Sequence, residues 1–257
     1  VNTYTGTTTI NAGTLQIGNA TTGSIASTSV VNNANLLYGT TVASGTFGLA
    51  NSTTGTGNLT AIGKLLQLNG NITQSGNVSL TGSTAASGTG TAGIQLVADT
   101  TITAGNITIT GDLGRNTASS HGGNLTLNTS PTNGAITFNA SMSRSGQWWG
   151  FSTFTANAGT GNLTITGTNP ATNWGGATSL VTTLTGALNI NSTSITITGN
   201  TFFNATGNSS ITSNLALATS SAHTWSVNPN LTMTVSGNLS GTSAAITKNG
   251  TGLLVLS

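Results

Sequence analysis

A short word, Gly-Asn-aliphatic-Thr/Ser, recurs along the chain and constrains its fold more than any other feature. Six copies of the word begin at Gly57, Gly76, Gly105, Gly123, Gly161 and Gly237. Successive starts differ by 19, 29, 18, 38 and 76 residues. Four of these spacings lie close to multiples of nineteen, and the fifth fits one period plus an inserted loop at Ser83–Gly93. A repeat of this length with Gly/Asn turns is typical of one coil of a β-solenoid.

Aliphatic residues alternate with Thr in short runs, which predicts strands that are buried on one face. The clearest runs are 7–10, 100–103, 107–110, 163–166, 195–198 and 231–234. No segment shows helical spacing with caps. We therefore expect an all-β chain, a single-stranded right-handed parallel β-helix of about ten to thirteen coils that forms one continuous unit over residues 1–257. A sandwich or antiparallel barrel is the competing fold, but Asn-Gly hairpin turns occur only at Asn69, Asn133 and Asn249.

The sequence has very few charged residues and no cysteine. The 257 residues include four Lys or Arg, two Asp or Glu and no Cys. The net charge of +2 does not make a basic face, so we expect no nucleic-acid partner. The composition excludes disulfides and thiolate metal sites, and no apolar run is long enough to span a bilayer, so we expect no cofactor and no membrane insertion of this segment.

The two ends of the sequence resemble the two halves of one known repeat. Residues 1–18 include Asn2-Thr3-Tyr4-Thr5-Gly6 and Gly13-Thr14-Leu15, and residues 248–257 include Gly250-Thr251-Gly252-Leu253-Leu254-Val255-Leu256-Ser257. These words resemble the second and first halves of the autotransporter-associated β-strand repeat, apart from one linking Gly. Words in the middle, such as Gly161–Gly167, are similar to haemagglutinin-type repeats of secreted adhesins.

This resemblance implies an extracellular segment at the surface of a Gram-negative bacterium. It implies a structural repeat of a secreted adhesin or fibre, one unit of a tandem array whose copies meet end to end as a filament. The residues expected at that contact are Val1, Asn2, Thr3, Tyr4, Leu253, Leu254, Val255, Leu256 and Ser257.

An enzyme is not expected, because Asp99 and Asp112 are the only carboxylates and lie thirteen residues apart. That spacing would not stack them in a coil of nineteen residues, so a paired-carboxylate glycosidase is disfavoured. Asp112, Arg115 and His121 share one polar stretch, which is either a ligand-binding loop or a solvated loop with a local ion pair. His223 is expected to be a packed or surface residue.

The aromatic cluster Trp148, Trp149 and Phe151 supports an alternative function. Adjacent Trp side chains in a strand point to opposite faces, so at least one of them can face outward and stack on sugars of host or neighbouring cells. The other interpretation is that large rings fill a wider coil.

Ice binding by Thr-x-Thr ladders is a third hypothesis. It is disfavoured because the Thr pairs do not recur at one coil position in the sequence. Asn-x-Ser/Thr words, such as those at Asn58, Asn71 and Asn106, leave glycosylation open.

Overall fold

The computed structural model describes residues 3–19, 22–43, 45–50, 52–83, 93–115, 124–141, 153–159, 163–166, 172–174, 179–184, 188–191, 194–197, 200–205, 207–212, 214–217 and 222–257. Every regular element in these ranges is a β-strand, and every strand pair is parallel. The chain is a β-solenoid, and the predicted fold class is confirmed.

The first sheet contains eleven stacked strands. In spatial order these are β1 (Thr8–Ile10), β4 (Ser29–Asn32), β7 (Ser52–Gly55), β10 (Asn71–Gln74), β13 (Thr100–Thr103), β15 (Asn124–Asn128), β17 (Thr153–Gly159), β20 (Ser179–Leu184), β23 (Asn200–Ala205), β26 (Ala222–Val227) and β29 (Ala245–Asn249).

Each strand on the main path of the second sheet comes directly after a strand of the first sheet along the chain, and the two sheets stack in the same order. This main path is β2 (Thr14–Ile17), β5 (Asn35–Tyr38), β8 (Asn58–Gly63), β11 (Val78–Gly82), β14 (Ile107–Arg115), β16 (Ile136–Ser141), β18 (Leu163–Thr166), β21 (Leu188–Asn191), β24 (Ser209–Ile211), β27 (Thr232–Val235) and β30 (Leu253–Leu256).

A third face carries shorter stacks in the two halves of the solenoid. The first half has β3 (Thr22–Gly23), β6 (Thr46–Leu49), β9 (Leu65–Leu68) and β12 (Ile94–Leu96), which join the second sheet through the long strand β14. The second half has β19 (Thr172–Trp174), β22 (Ser194–Ile197), β25 (Asn214–Leu217) and β28 (Leu239–Ser240).

The predicted period of nineteen residues is wrong as a general coil length. Thr53 pairs with Ile72, nineteen residues later, but Ile72 pairs with Ile102, thirty residues later. The Gly-Asn words misled because they occupy different corners of the coil. Asn58 begins a strand of the second sheet, whereas Asn124 begins a strand of the first.

The part of the chain that the structure describes contains fewer complete coils than the ten to thirteen predicted. Among the described residues, eight coils give a separate strand to all three faces, namely those that begin with β1, β4, β7, β10, β17, β20, β23 and β26. The coils around β14 and β16 differ because β14 is nine residues long and serves two faces. Eleven strands about 4.8 Å apart extend on the order of 50 Å. The right-handed winding stays a prediction that follows the usual sense of parallel crossovers.

Aliphatic side chains stack inside the solenoid in columns that follow the strand register. In the second sheet one such column runs through Leu36, Leu59, Val78, Ile107 and Ile136, each of which is buried. A single coil could not bury these side chains, because each is covered by the coils above and below it. The fold therefore depends on stacking.

Candidate assembly interface

Asparagine side chains connect successive coils at the corner before the second sheet. Asn58 Nδ2 donates to Asn35 Oδ1 at 3.3 Å, and Asn106 Nδ2 donates to Asn77 Oδ1 at 2.8 Å. The backbone N–H of Asn77 donates to Asn58 Oδ1 at 2.9 Å, and that of Ala135 donates to Asn106 Oδ1 at 2.8 Å. Each amide thus accepts from the coil that follows it, which fixes the register of that coil.

The same device recurs at other corners. Asn208 and Asn214 accept the backbone N–H groups of Thr232 and Asn238, both at 2.9 Å. The carboxylate of Asp99 performs this role for Asn124, accepting from the backbone N at 2.9 Å and from Nδ2 at 3.0 Å. Asp99 therefore has a structural role in coil stacking, which its position in the sequence did not indicate.

At one end of the stack, strands β29 and β30 have no further strand beyond them among the described residues. Leu254 and Leu256 pair with the buried residues Met233 and Val235, so by alternation they hold interior positions. Leu256 is nevertheless 57% exposed. The edge presents both open backbone hydrogen-bonding groups and apolar side chains that a further coil would cover.

At the opposite end, β1 and β2 are the outermost strands of the same two sheets. A groove of about 570 Å³ opens here, lined by residues that include Tyr4, Leu15, Ile17 and Ile25. Tyr4 is 42% exposed, and its hydroxyl hydrogen-bonds with that of Thr8. Among the expected assembly residues, Thr3, Tyr4 and Leu253–Ser257 are described and lie at the two ends, while Val1 and Asn2 lie outside the described residues.

The segment that would connect two copies is nearly as long as the corresponding segment in the last coil. Between the end of β27 at Val235 and the start of β29 at Ala245, nine residues form the third face of the coil. If Ser257 were followed by Val1 of a second copy, eight residues would join the end of β30 to the start of β1. A coil closed in this way has nearly the dimensions of the coil beneath it.

Most of the predicted ligand-contact residues lie outside the part that the structure describes. Trp148, Trp149, Phe151 and His121 are in undescribed ranges, and for Asp112 and Arg115 only the backbone of β14 is described. The glycan-binding alternative gains no support from a described contact.

A buried polar cluster was missed by the sequence reasoning. Thr201, His223 and Trp225 point inward from neighbouring strands of the first sheet and are each at most 1% exposed. Trp225 Nε1 donates to Thr201 Oγ1 at 2.9 Å, and His223 Nδ1 lies 3.1 Å from the same oxygen. Trp225 also stacks on Phe203 with ring centroids 5.3 Å apart. His223 is thus a packed residue, one of the two roles expected for it.

Hydroxyl side chains form a regular column on the outer face of the second sheet. The column follows the register through Thr60, Ser79, Thr108, Thr137 and Thr164. Single hydroxyl residues therefore recur at one coil position on this face, but Thr-x-Thr pairs do not, because Ile62 follows Thr60 and Asn139 follows Thr137 at the second position. Coil length varies through the loops, so the spacing along the sequence hides the alignment of the strands.

Neither a cluster of metal-binding side chains nor a membrane-spanning helix occurs in the described part of the chain. No group of three or more His, Cys, Asp or Glu residues that could hold a metal ion occurs there. No helix in the described ranges has the length and apolar character to cross a membrane. The chain matches no known protein family, no curated protein and no solved structure.

Proposed function

We propose that this chain is a structural segment of a secreted bacterial surface adhesin or fibre, which elongates by stacking copies head to tail. The observation that carries the proposal is that both ends of the stack expose an edge strand of each main sheet. The first sheet ends in β1 and β29, and the second sheet ends in β2 and β30. A second copy can therefore continue both sheets without a change of face.

The interior residues at the two edges support a second copy as the occupant. Leu254 and Leu256 hold interior positions at one edge, and Leu15 and Ile17 hold interior positions of the same sheet at the other. Covering the exposed leucines with aliphatic side chains removes apolar surface from water, which is worth about 25 cal/mol per Å². Continued backbone pairing satisfies the open edge as well.

The assignment to a bacterial surface rests on the resemblance of the chain's ends to the autotransporter-associated repeat. The low charge and the absence of cysteine fit a chain that is exported as a thread and folds outside the cell without disulfides. Repeated stacking in one direction does not close on itself, so it produces a filament.

A two-copy fusion in which Ser257 is followed directly by Val1 tests the stacking. Because neighbouring coils stabilise each other, the fusion should unfold at a higher denaturant concentration than the single chain, with a steeper denaturant dependence. A fusion with a long Gly/Ser linker at the junction is the control for tethering alone. Equal midpoints for the single chain and the direct fusion would contradict stacking.

Two aspartate variants of the fusion, one at the junction and one away from it, test whether the junction is buried. In the first copy of the fusion, Leu256→Asp places a carboxylate in the proposed interior and should abolish the gain in stability. Val97→Asp changes an apolar residue that is 38% exposed and follows β12 in the middle of the stack, and it should leave the gain intact. Equal effects of the two variants would show that Leu256 is not at a buried contact.

The surface location needs a separate experiment. An antibody against the folded chain should label intact cells of the source bacterium without permeabilisation. Labelling that requires permeabilised cells would contradict an extracellular role.

A further inference from the structure

The outer face of the second sheet carries a two-dimensional array of hydroxyl groups. Besides the hydroxyl column of Thr60, Ser79, Thr108, Thr137 and Thr164, a second column contains Thr81 and Thr110 at neighbouring coils. Strand spacing sets about 4.8 Å between members of one column, and alternation sets about 6.6 to 6.8 Å between the two columns. Because Ile62 and Asn139 flank Thr81 and Thr110 in the second column, the array is two columns wide at two coils and one column wide at the others.

The Thr side chains in this array are held alike. Each is β-branched, which restricts its χ1 rotamer, and each occupies an equivalent place on a pleated strand. Their methyl and hydroxyl groups should consequently face solvent in a repeated arrangement. Thr108, Thr110 and Thr137 are half-buried, so the groups lie close to the sheet surface and do not extend from it.

The hydroxyl groups are available to an external partner. Within the part of the chain that the structure describes, the hydroxyls of Thr108, Thr110 and Thr137 make no side-chain hydrogen bond. The neighbouring Asn corner differs, because Asn58 and Asn106 use their amides to bind adjacent coils.

The chemistry of the array selects the kind of partner. Neither column contains a charged residue, so a charged polymer or a phosphate surface finds no counter-charge here. Hydroxyls can hold water molecules at fixed positions, and the methyl groups between them restrict the orientation of the adjoining water. A partner that is uncharged, both donates and accepts hydrogen bonds and matches the regular spacing of the five-coil column is a water lattice.

We propose that the outer face of the second sheet, centred on Thr108 and Thr137, binds ice through its ordered hydroxyl and methyl groups. The outer face of the first sheet carries shorter hydroxyl runs, such as Thr54, Thr73 and Thr103, whereas the second-sheet column holds hydroxyl residues in five successive coils. The binding face is thus assigned to one side of the solenoid and does not depend on head-to-tail stacking.

Partition of the purified chain into slowly growing ice tests this assignment, with thermal hysteresis as a second measurement. The unmodified chain should be enriched in the ice fraction. The double variant Thr108→Lys/Thr137→Lys should remain in the liquid, because its long charged side chains disrupt the array. The matched control Thr101→Lys/Thr126→Lys alters two register partners on the outer face of the first sheet and should still enter the ice.

A conservative pair keeps the test decisive if the lysine variants unfold. Thr108→Val/Thr137→Val removes the two hydroxyls while keeping shape and strand preference, and it should reduce enrichment while leaving the denaturant midpoint nearly unchanged. The proposal is overturned if the unmodified chain stays in the liquid, or if it binds crystalline polysaccharide and not ice. It is also overturned if the folded variants at Thr108 and Thr137 enter the ice as fully as the unmodified chain does.

Discussion

The indole nitrogen of Trp225 donates a hydrogen bond of 2.9 Å to the hydroxyl of Thr201, and both side chains are completely buried. Thr201→Val keeps the shape of the side chain but removes the partner of Trp225 Nε1 and one partner of His223. A buried donor without an acceptor costs about 1 to 3 kcal/mol. We expect chemical denaturation to show a free energy of unfolding lower by about that amount.

The substitution Thr53→Val should not lower the free energy of unfolding as Thr201→Val does. Thr53 is also completely buried, but its Oγ1 has no hydrogen-bond partner among the described residues. Thr53→Val removes an unsatisfied polar atom, so stability should be unchanged or rise by about 1 kcal/mol. Equal destabilisation by the two variants would show that the hydrogen bonding assigned to the interior is incorrect.

The interior aliphatic columns should hold the solenoid together. Ile109 lies between Leu80 and Phe138 in the second sheet and is completely buried. Ile109→Ala should lower the free energy of unfolding by about 2 to 5 kcal/mol through lost burial and a cavity. Thr110→Ala, on the outer face of the same strand, should change it by less than about 1 kcal/mol. Urea midpoints that move equally for both would contradict the assigned burial.

The close approach of coils at Gly55 should make this position intolerant of a side chain. Gly55 has a φ of 134°, and a Cβ there would lie 2.1 Å from the carbonyl oxygen of Asn32. Gly55→Ala should therefore destabilise the chain by more than about 3 kcal/mol. Gly6→Ala meets no atom within 4 Å and should stay within about 0.5 kcal/mol of the parent in thermal or urea unfolding. A neutral Gly55→Ala would mean that the coils are further apart.

Alkaline pH should weaken the fold through Tyr38. Burial raises the pKa of Tyr38 from 10.0 to about 12, although the hydrogen bond from Ala50 N lowers it in part. The unfolded chain loses this proton near pH 10 while the folded chain keeps it. The stabilising contribution is thus complete below pH 10 and disappears as the pH rises to 12, a loss of about 2 to 3 kcal/mol.

Urea unfolding between pH 9 and 12 measures this effect. Tyr38→Phe should remove most of the slope, whereas Tyr4→Phe should retain most of it, because Tyr4 is exposed and its charge is the smallest of the causes of the raised Tyr38 pKa. A slope that survives in Tyr38→Phe would assign the alkaline sensitivity to another group.

Strand identity could be predicted from the sequence because alternation leaves a direct trace in each segment. The runs around Ile109 and Met233 both form strands, with their aliphatic residues inward. Coil length could not be predicted, because Asn58 and Asn124 carry the same word at different corners. The Gly-Asn word predicts a turn that is followed by a strand, but it does not predict which face of the solenoid that strand joins.

Interior polar contacts and the hydroxyl column were hidden for the same reason. Thr108 belongs to the alternating run 107–110 and points outward, whereas Thr201 lies in the strand Asn200–Ala205, whose sequence does not alternate, and points inward to Trp225. Alternation within β26 could have indicated that His223 and Trp225 share a face. Their common partner Thr201 lies one coil away, and only the stacking register identifies it.

Coils should continue from one copy into the next, and cryo-electron microscopy of the direct two-copy fusion or of native fibres can show this continuity. We expect one uninterrupted β-ladder in which Leu253–Leu256 of one copy pairs with Thr14–Ile17 of the next at the usual strand spacing of about 4.8 Å. Two copies separated by a gap, copies packed side by side with their end coils in water, or native material that is a dispersed monomer would contradict it.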